Sequence, residues 1–330
     1  VVSGERQAVG RANLQVGELD AVIPGEGSQL SVVQQGADVV VVDGANATAE
    51  LIDGARSEIV ESVPLPPDDP TLLLAGQSAV VHSGGSGATW VTPRSLLADF
   101  DPAGIAAFQF GPASAIAALD GVGVIAASPG LGEVYRFDPD RSSTVEQTWS
   151  IPFDADAALQ VTIVGDRWAV LEEGPRLLHT EAGTVDLSGV IAGGGDARLA
   201  AASATADEVL VAHRGGLISV SLDGARITEL AVGRQGSPAA PVVVGDCAFA
   251  AWSDGVAWRR CAGEVRELGL AGVAAAAELA LAVRDQRVVL NDRRSGTAWA
   301  VQQDGQLIDN WDDLIREEED DREEQLDQLD

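Results

Sequence analysis

Residues 30–43 read LSVVQQGADVVVVD, two short valine-rich runs joined at Gly36 and closed by Asp43. Runs this short, β-branched and bounded by Gly and Asp, describe a β-hairpin. Neither run alternates cleanly between apolar and polar residues, which is the pattern of strands buried on both faces.

The same unit returns as LLLAGQSAVVHS at 72–83, IAALDGVGVIAAS at 116–128, VTIVGDRWAVLE at 161–172, AASATADEVLVAH at 201–213, VVVGDCAFAAW at 242–252 and LALAVRDQRVVLND at 279–292. The first turns fall near Gly36, Gly76, Gly121, Gly165, Ala206, Gly245 and Arg284, 39 to 45 residues apart. Six or seven residues after each comes a second turn, at Asp43, His82, Ser128, Glu172, His213, Trp252 and Asn291. Third strands such as ATWVTP and VAWRRCAG and more polar fourth strands such as EIVESVP and ITELAV complete each unit. A unit of this kind cannot bury its faces alone, and the period matches a four-stranded blade. The expected fold is therefore all-β: a seven-bladed β-propeller of four-stranded antiparallel blades. Helical solenoids share the period, but the turn-rich strands and the Val, Thr and Trp content speak against them. Residues Asn13 to Ile23 resemble a fourth strand ahead of the first full unit, so the N-terminus is expected to donate a closing strand to the last blade. Residues 1–311 form the propeller in this reading and 312–330 an acidic linker or tail, short and helical or disordered.

The net charge is −30, and residues 316–330 account for nine acids and two arginines, so the body of the chain still carries 23 of those charges. Such a field repels nucleic acid and anionic lipid. All 21 basic residues are arginine, which excludes the P-loop lysine, Schiff-base chemistry and Ser-x-x-Lys nucleophiles. Methionine is absent even at position 1, and no signal peptide or run of 18 apolar residues occurs; the chain reads as a fragment or processed product whose export signal precedes Val1.

The two cysteines lie in one hairpin. With Ser253-Asp254-Gly255 as its loop, Cys247 faces Cys261 directly across the strands, close enough to bridge. A disulfide there implies an oxidising compartment and export; two buried free thiols are the alternative.

Second-turn residues gather on one rim of a propeller, so Asp43, His82, Glu172, His213 and Asp292 are candidates for a shallow polar ligand site around the axis; plain solvated turns would carry the same residue types. The three histidines, His82, His179 and His213, have no metal-ligand spacing, and no metal or cofactor is expected. The acidic corners at Asp99, Asp138 and Asp154 complete no EF-hand loop. Trp90, Tyr135, Trp258 and Trp299 recur on third strands and read as packing between blades. Gly84 to Gly87 and Gly193 to Gly195 read as turn glycines, and Asn310 as the cap of a short helix. No Gly-x-Ser-x-Gly elbow occurs, and no catalytic residue is assigned.

The stretch LNDRRSGTAWAVQQDGQLIDNWDDLI at 290–315, with the acidic run after it, resembles the N-terminal region of very large surface proteins of high-GC Gram-positive bacteria that carry immunoglobulin-like or fibronectin type III repeats. The resemblance implies a membrane helix upstream and the repeats downstream. The functional expectation is a non-enzymatic head or base domain of an exported surface fibre that contacts a protein or envelope component, with self-assembly through the repeats and membrane contact only through the upstream helix. An exported propeller enzyme, lactonase-like or quinone-dependent, and a protein-docking scaffold are the other readings.

Overall fold

The computed structural model describes residues 1–141, 144–191 and 196–316. It is a ring of eight antiparallel sheets, each built from consecutive strands. Blade 2 shows the plan: innermost Leu30–Gln35, then Asp38–Asp43, Thr48–Asp53 and outermost Glu58–Pro64. Blades 3 to 8 repeat it, beginning with Pro70–Ala75, Ala115–Leu119, Leu159–Val164, Ala197–Leu199, Val242–Val244 and Leu279–Arg284. These seven blades are the seven units of the sequence.

The count of seven is corrected by residues 1–24. Val2–Ser3, Ala8–Asn13 and Glu18–Pro24 form a three-stranded sheet of their own, and the last blade has its own outer strand, Gln306–Ile308. The closing strand expected from Asn13 to Ile23 is thus part of blade 1. Blade 1 is blade 2 displaced by 40 positions: Gly4 matches Gly44, left-handed Gln7 matches left-handed Ala47, and Glu18–Pro24 matches Glu58–Pro64. Both blades even carry the same bulge, between Arg11 and Ala12 and between Leu51 and Ile52. Blade 1 lacks the inner hairpin that marked the other units, which is why it escaped the repeat.

Period-two alternation explains the packing. In Gly123–Ser128, Val124 and Ala126 face blade 3 while Ile125 and Ala127 face blade 5. Second strands are accordingly buried on both faces, and outer strands such as Glu264–Gly269 are largely exposed. Eight apolar clusters result, one per pair of neighbouring blades. The eighth, between blades 8 and 1, gathers Ala8, Leu19, Val289, Ala298 and Trp311, with Leu314 and Ile315 packed against it.

No strand is exchanged at that seam; loop backbone bonds from Gly4 N to Arg293 O and from Glu5 N to Arg294 O join it, together with side-chain amides. Asn291 accepts from Val2 N at 2.8 Å and donates to Val2 O at 3.1 Å. Asn310 accepts from Leu19 N at 2.7 Å and donates to Leu19 O at 3.0 Å. Its side chain therefore grips blade 1, and its backbone carbonyl accepts from Leu314 N at the start of the helical turn 311–316. Trp311 donates to Gly296 O and lies against Gly10, where a Cβ at either glycine would come within 3 Å of the indole.

Candidate functional site

The second strands all end on one rim, at Ser3, Asp43, Ser83, Ser128, Glu172, His213, Trp252 and Asp292. These eight residues are buried, the most accessible being His213 at 6%. At Asp43, Ser83, Ser128, His213 and Asp292 the side chain bends back into its own turn, where freed backbone N–H groups need acceptors. Asp43 accepts from Ala45 N, Asn46 N and the Asn46 amide. Asp292 accepts from Glu278 N, Arg294 N and the Ser295 hydroxyl. Ser83 and Ser128 accept from Ser86 N and Leu131 N in the same manner.

The five candidate residues are thus in five blades, and among the described residues no hydrogen bond or ion pair joins one to another. His82 stands one position before the rim residue Ser83. Its Nδ1 is 2.8 Å from the Thr89 hydroxyl and its Nε2 3.0 Å from Ser114 O. That carbonyl partner requires Nε2–H, so in the neutral ring Nδ1 is the acceptor toward the Thr89 hydroxyl. Burial holds its pKa below the usual histidine value, against the opposing pull of Ser114 O and Asp69. His213 Nδ1 accepts from Gly215 N, its carbonyl takes the Trp252 indole N–H of the next blade, and burial lowers its pKa while Glu229 opposes.

Blade 5 holds a network the sequence did not disclose. Glu172 accepts from Asp154 N through Oε1, and its Oε2 lies 3.1 Å from His179 Nε2. His179 Nδ1 is 2.9 Å from the hydroxyl of Thr184, on the exposed outer strand. Cross-strand register makes this chain of acid, imidazole and hydroxyl, since His179 pairs with Thr184. It satisfies three buried polar atoms inside one blade. Phe153 meets the imidazole edge-on.

Other polar candidates also serve the ring. Asp138 accepts from Asp140 N, and Asp140 in turn accepts from Gln77 N and Ser78 Oγ of blade 3. The indole N–H of Trp299 reaches Ala271 O, and that of Trp90 reaches Gly104 O. Among the described residues no three His, Cys, Asp or Glu side chains gather as a metal site. The glycines 193–195 and the acidic residues 317–330 lie outside the described residues.

Two surface features stand apart from this internal bonding. Blade 3 connects its third strand to the short Phe108–Gln109 through a long excursion that begins with the 3-10 helix Arg94–Asp99. Leu97 and Phe100 bury themselves beneath it, and Leu96 and Ile105 are 50% and 99% exposed. In blade 7, Cys247 pairs with Cys261 in the register that the hairpin arithmetic required, and the two form a disulfide rather than free thiols, Cα to Cα 4.1 Å.

No protein-family model matches the chain, and no curated protein does. Solved structures match it in fold. The computationally designed Ika8 protein superposes with a TM-score of 0.60 at 13% identity, over 90% of this chain and 91% of its own. Apo AztD from Citrobacter koseri gives 0.57 at 14% identity over 92% and 93%. Virginiamycin B lyase from Staphylococcus aureus gives 0.56 at 11% identity over 81% and 91%. Identities this low establish a shared propeller architecture and nothing about activity.

Proposed function

We propose that this propeller is a non-enzymatic recognition head or base domain of an exported bacterial surface or fibre protein, acting in adhesion, envelope contact or assembly. The observation that carries the reading is the apolar tip of blade 3. The rim side chains are bonded into the ring, whereas Ile105 and Leu96 stand in solvent, held from below by Leu97, Phe100 and the Trp90 to Gly104 bond. A preorganised apolar projection of this kind suits contact with another protein.

Two further features support it. The Cys247–Cys261 disulfide fits an oxidising compartment outside the cytoplasm. The resemblance of residues 290–315 to large surface proteins points to a membrane helix upstream and immunoglobulin-like or fibronectin type III repeats downstream. No helix of the described residues is long and apolar enough to cross a membrane.

Binding of the labelled chain to isolated cell envelopes and to whole cells at physiological salt tests the reading. Saturable binding is expected, weakened at least about tenfold, or roughly 1.4 kcal/mol, in the Leu96→Asp/Ile105→Asp double variant. Equal binding by variant and parent would remove the tip from the interface, and no binding at all would leave a spacer role. Turnover of a lactone, or quinone-linked oxidation, would replace recognition by an exported enzyme.

A further inference from the structure

In blade 5 a hydroxyl on the open edge of the sheet is backed by a buried imidazole and a buried carboxyl group. His179 and Glu172 are each 1% exposed, whereas Thr184 stands in solvent. Glu172 uses Oε1 to accept from Asp154 N, which leaves Oε2 for His179 Nε2 at 3.1 Å. In the neutral ring that contact fixes the proton on Nε2, because a carboxylate only accepts, and turns the Nδ1 lone pair to the Thr184 hydroxyl at 2.9 Å. Hydroxyl, base and orienting acid therefore stand in series. His82 lacks this arrangement: its hydroxyl partner Thr89 is buried, and its other nitrogen faces a carbonyl instead of a carboxylate.

Register supplies a donor beside that hydroxyl. Gly183–Asp186 is the outermost strand of its sheet and pairs with Leu177–Thr180. Leu187 N donates to Arg176 O one step further along the ladder. Hydrogen-bonded pairs alternate with non-hydrogen-bonded ones in an antiparallel ladder, so His179 with Thr184 is of the second kind. Side chains of such a pair lie closer together, which brings Nδ1 to the hydroxyl. The backbone N–H of Thr184 then points away from Leu177–Thr180 to the open edge, where an incoming carbonyl oxygen can accept from it.

We propose that Thr184 is an acyl-acceptor site, taking an acyl group from an activated ester or thioester. The Thr184 oxygen attacks the acyl carbon while its proton passes to His179 Nδ1, and the oxyanion that forms accepts from Thr184 N–H. Collapse breaks the bond to the leaving alcohol or thiol, which takes the proton from Nδ1. One bond from Thr184 to the acyl carbon forms, one acyl–oxygen or acyl–sulfur bond breaks, and His179 ends neutral as it began. The two ring nitrogens are conjugated, so charge gained at Nδ1 is shared with the Nε2–H that Glu172 holds. Glu172 acts through His179 and is a positioning residue. The product is one ester on the outside of the ring; it needs no turnover and does not rest on the blade 3 tip.

The test treats the 330-residue chain with p-nitrophenyl acetate and follows acetylation by peptide mass spectrometry. The chain has no lysine, so side-chain amines do not compete for the ester. Thr148 and Thr228 serve as internal references, exposed threonines on the outer strands of blades 4 and 6 with no histidine bonded to them. Acetylation at Thr184 is expected to be at least about a hundredfold faster than at either, the lower end of general-base participation. Thr184→Val should abolish that adduct and Thr184→Ser retain it. Glu172→Gln should slow Thr184 at least about tenfold and leave Thr148 and Thr228 unchanged, a selectivity that loss of packing would not produce. Equal rates at the three threonines of the parent chain would overturn the proposal whatever the buried variants do, as would an unchanged Thr184 rate in folded Glu172→Gln. Repeated release of acetate with no ester retained would make Thr184 a hydrolytic nucleophile and overturn its assignment as an acceptor.

Discussion

At the residue scale, one side chain does the work of a strand. Asn291 offers a donor and an acceptor in one plane, matching the peptide of Val2. Asn291→Ala leaves both groups of Val2 without a partner, and the expected loss is about 2–3 kcal/mol in urea unfolding. Asn291→Asp should do no better, because a carboxylate keeps the acceptor and sets a negative charge against Val2 O. The opposite sign is expected at Asp285, which is left-handed at φ 54° where the matching turns use Gly36, Gly76, Gly165 and Gly245. Asp285→Gly relieves that conformation and should stabilise by about 0.5–1 kcal/mol, the glycine entropy offsetting part of the gain. His82 sets a pH dependence. Its pKa is lowered from 6.5 in the fold, so the unfolded chain binds more protons as pH drops. Its contribution is complete above about pH 6.5 and is lost as pH falls through the folded pKa. Unfolding free energies measured between about pH 7.5 and 5 should fall less in His82→Gln than in the parent.

At the element scale, hairpins were the legible unit, because turn chemistry and burial on both faces are local properties. The Cys247 and Cys261 register follows from the loop length alone and is the register found. Removing that disulfide with Cys247→Ala/Cys261→Ala should cost about 2–3 kcal/mol, the order expected for a short closed loop. The loss should appear equally on reduction of the parent and leave the far-ultraviolet spectrum unchanged, since the hairpin ladder does not depend on it. The blade 3 excursion and the Glu172–His179–Thr184 network were not legible. The first has no periodicity to read; the second joins three strands whose register only the folded sheet defines. The second-turn residues were found by spacing, yet their burial was not, because a polar residue at a turn looks the same whether it faces solvent or the turn's own N–H groups.

At the scale of the whole molecule, the ring is held shut without strand exchange, and it is strongly anionic. Arg6 joins the seam by bonding Ser295 O and Asp312 while lying over Trp311, and Gln303 reaches Leu14 O. With a net charge of −30, like-charge repulsion opposes the compact state. Raising NaCl from about 0.03 to about 0.5 M shortens the screening length from roughly 20 to roughly 4 Å, so the Tm should rise in a calorimetric salt series. A fall would mean that the ion pairs bridging blades, such as Arg260 with Glu208 and Arg294 with Glu5, outweigh the repulsion.

The amino-acid sequence by itself determined the strands, the hairpin turns, the repeat and the disulfide register, because each depends on residues within one blade. The number of blades was decided only by tertiary structure. Residues 1–24 satisfy the local rules of an outer strand for blade 8 as well as those of a separate sheet, and the choice rests on partners 289 to 291 positions away, Val2 with Asn291 and Leu19 with Asn310. Ring closure is a contact between the two ends of the chain, and no local pattern carries it.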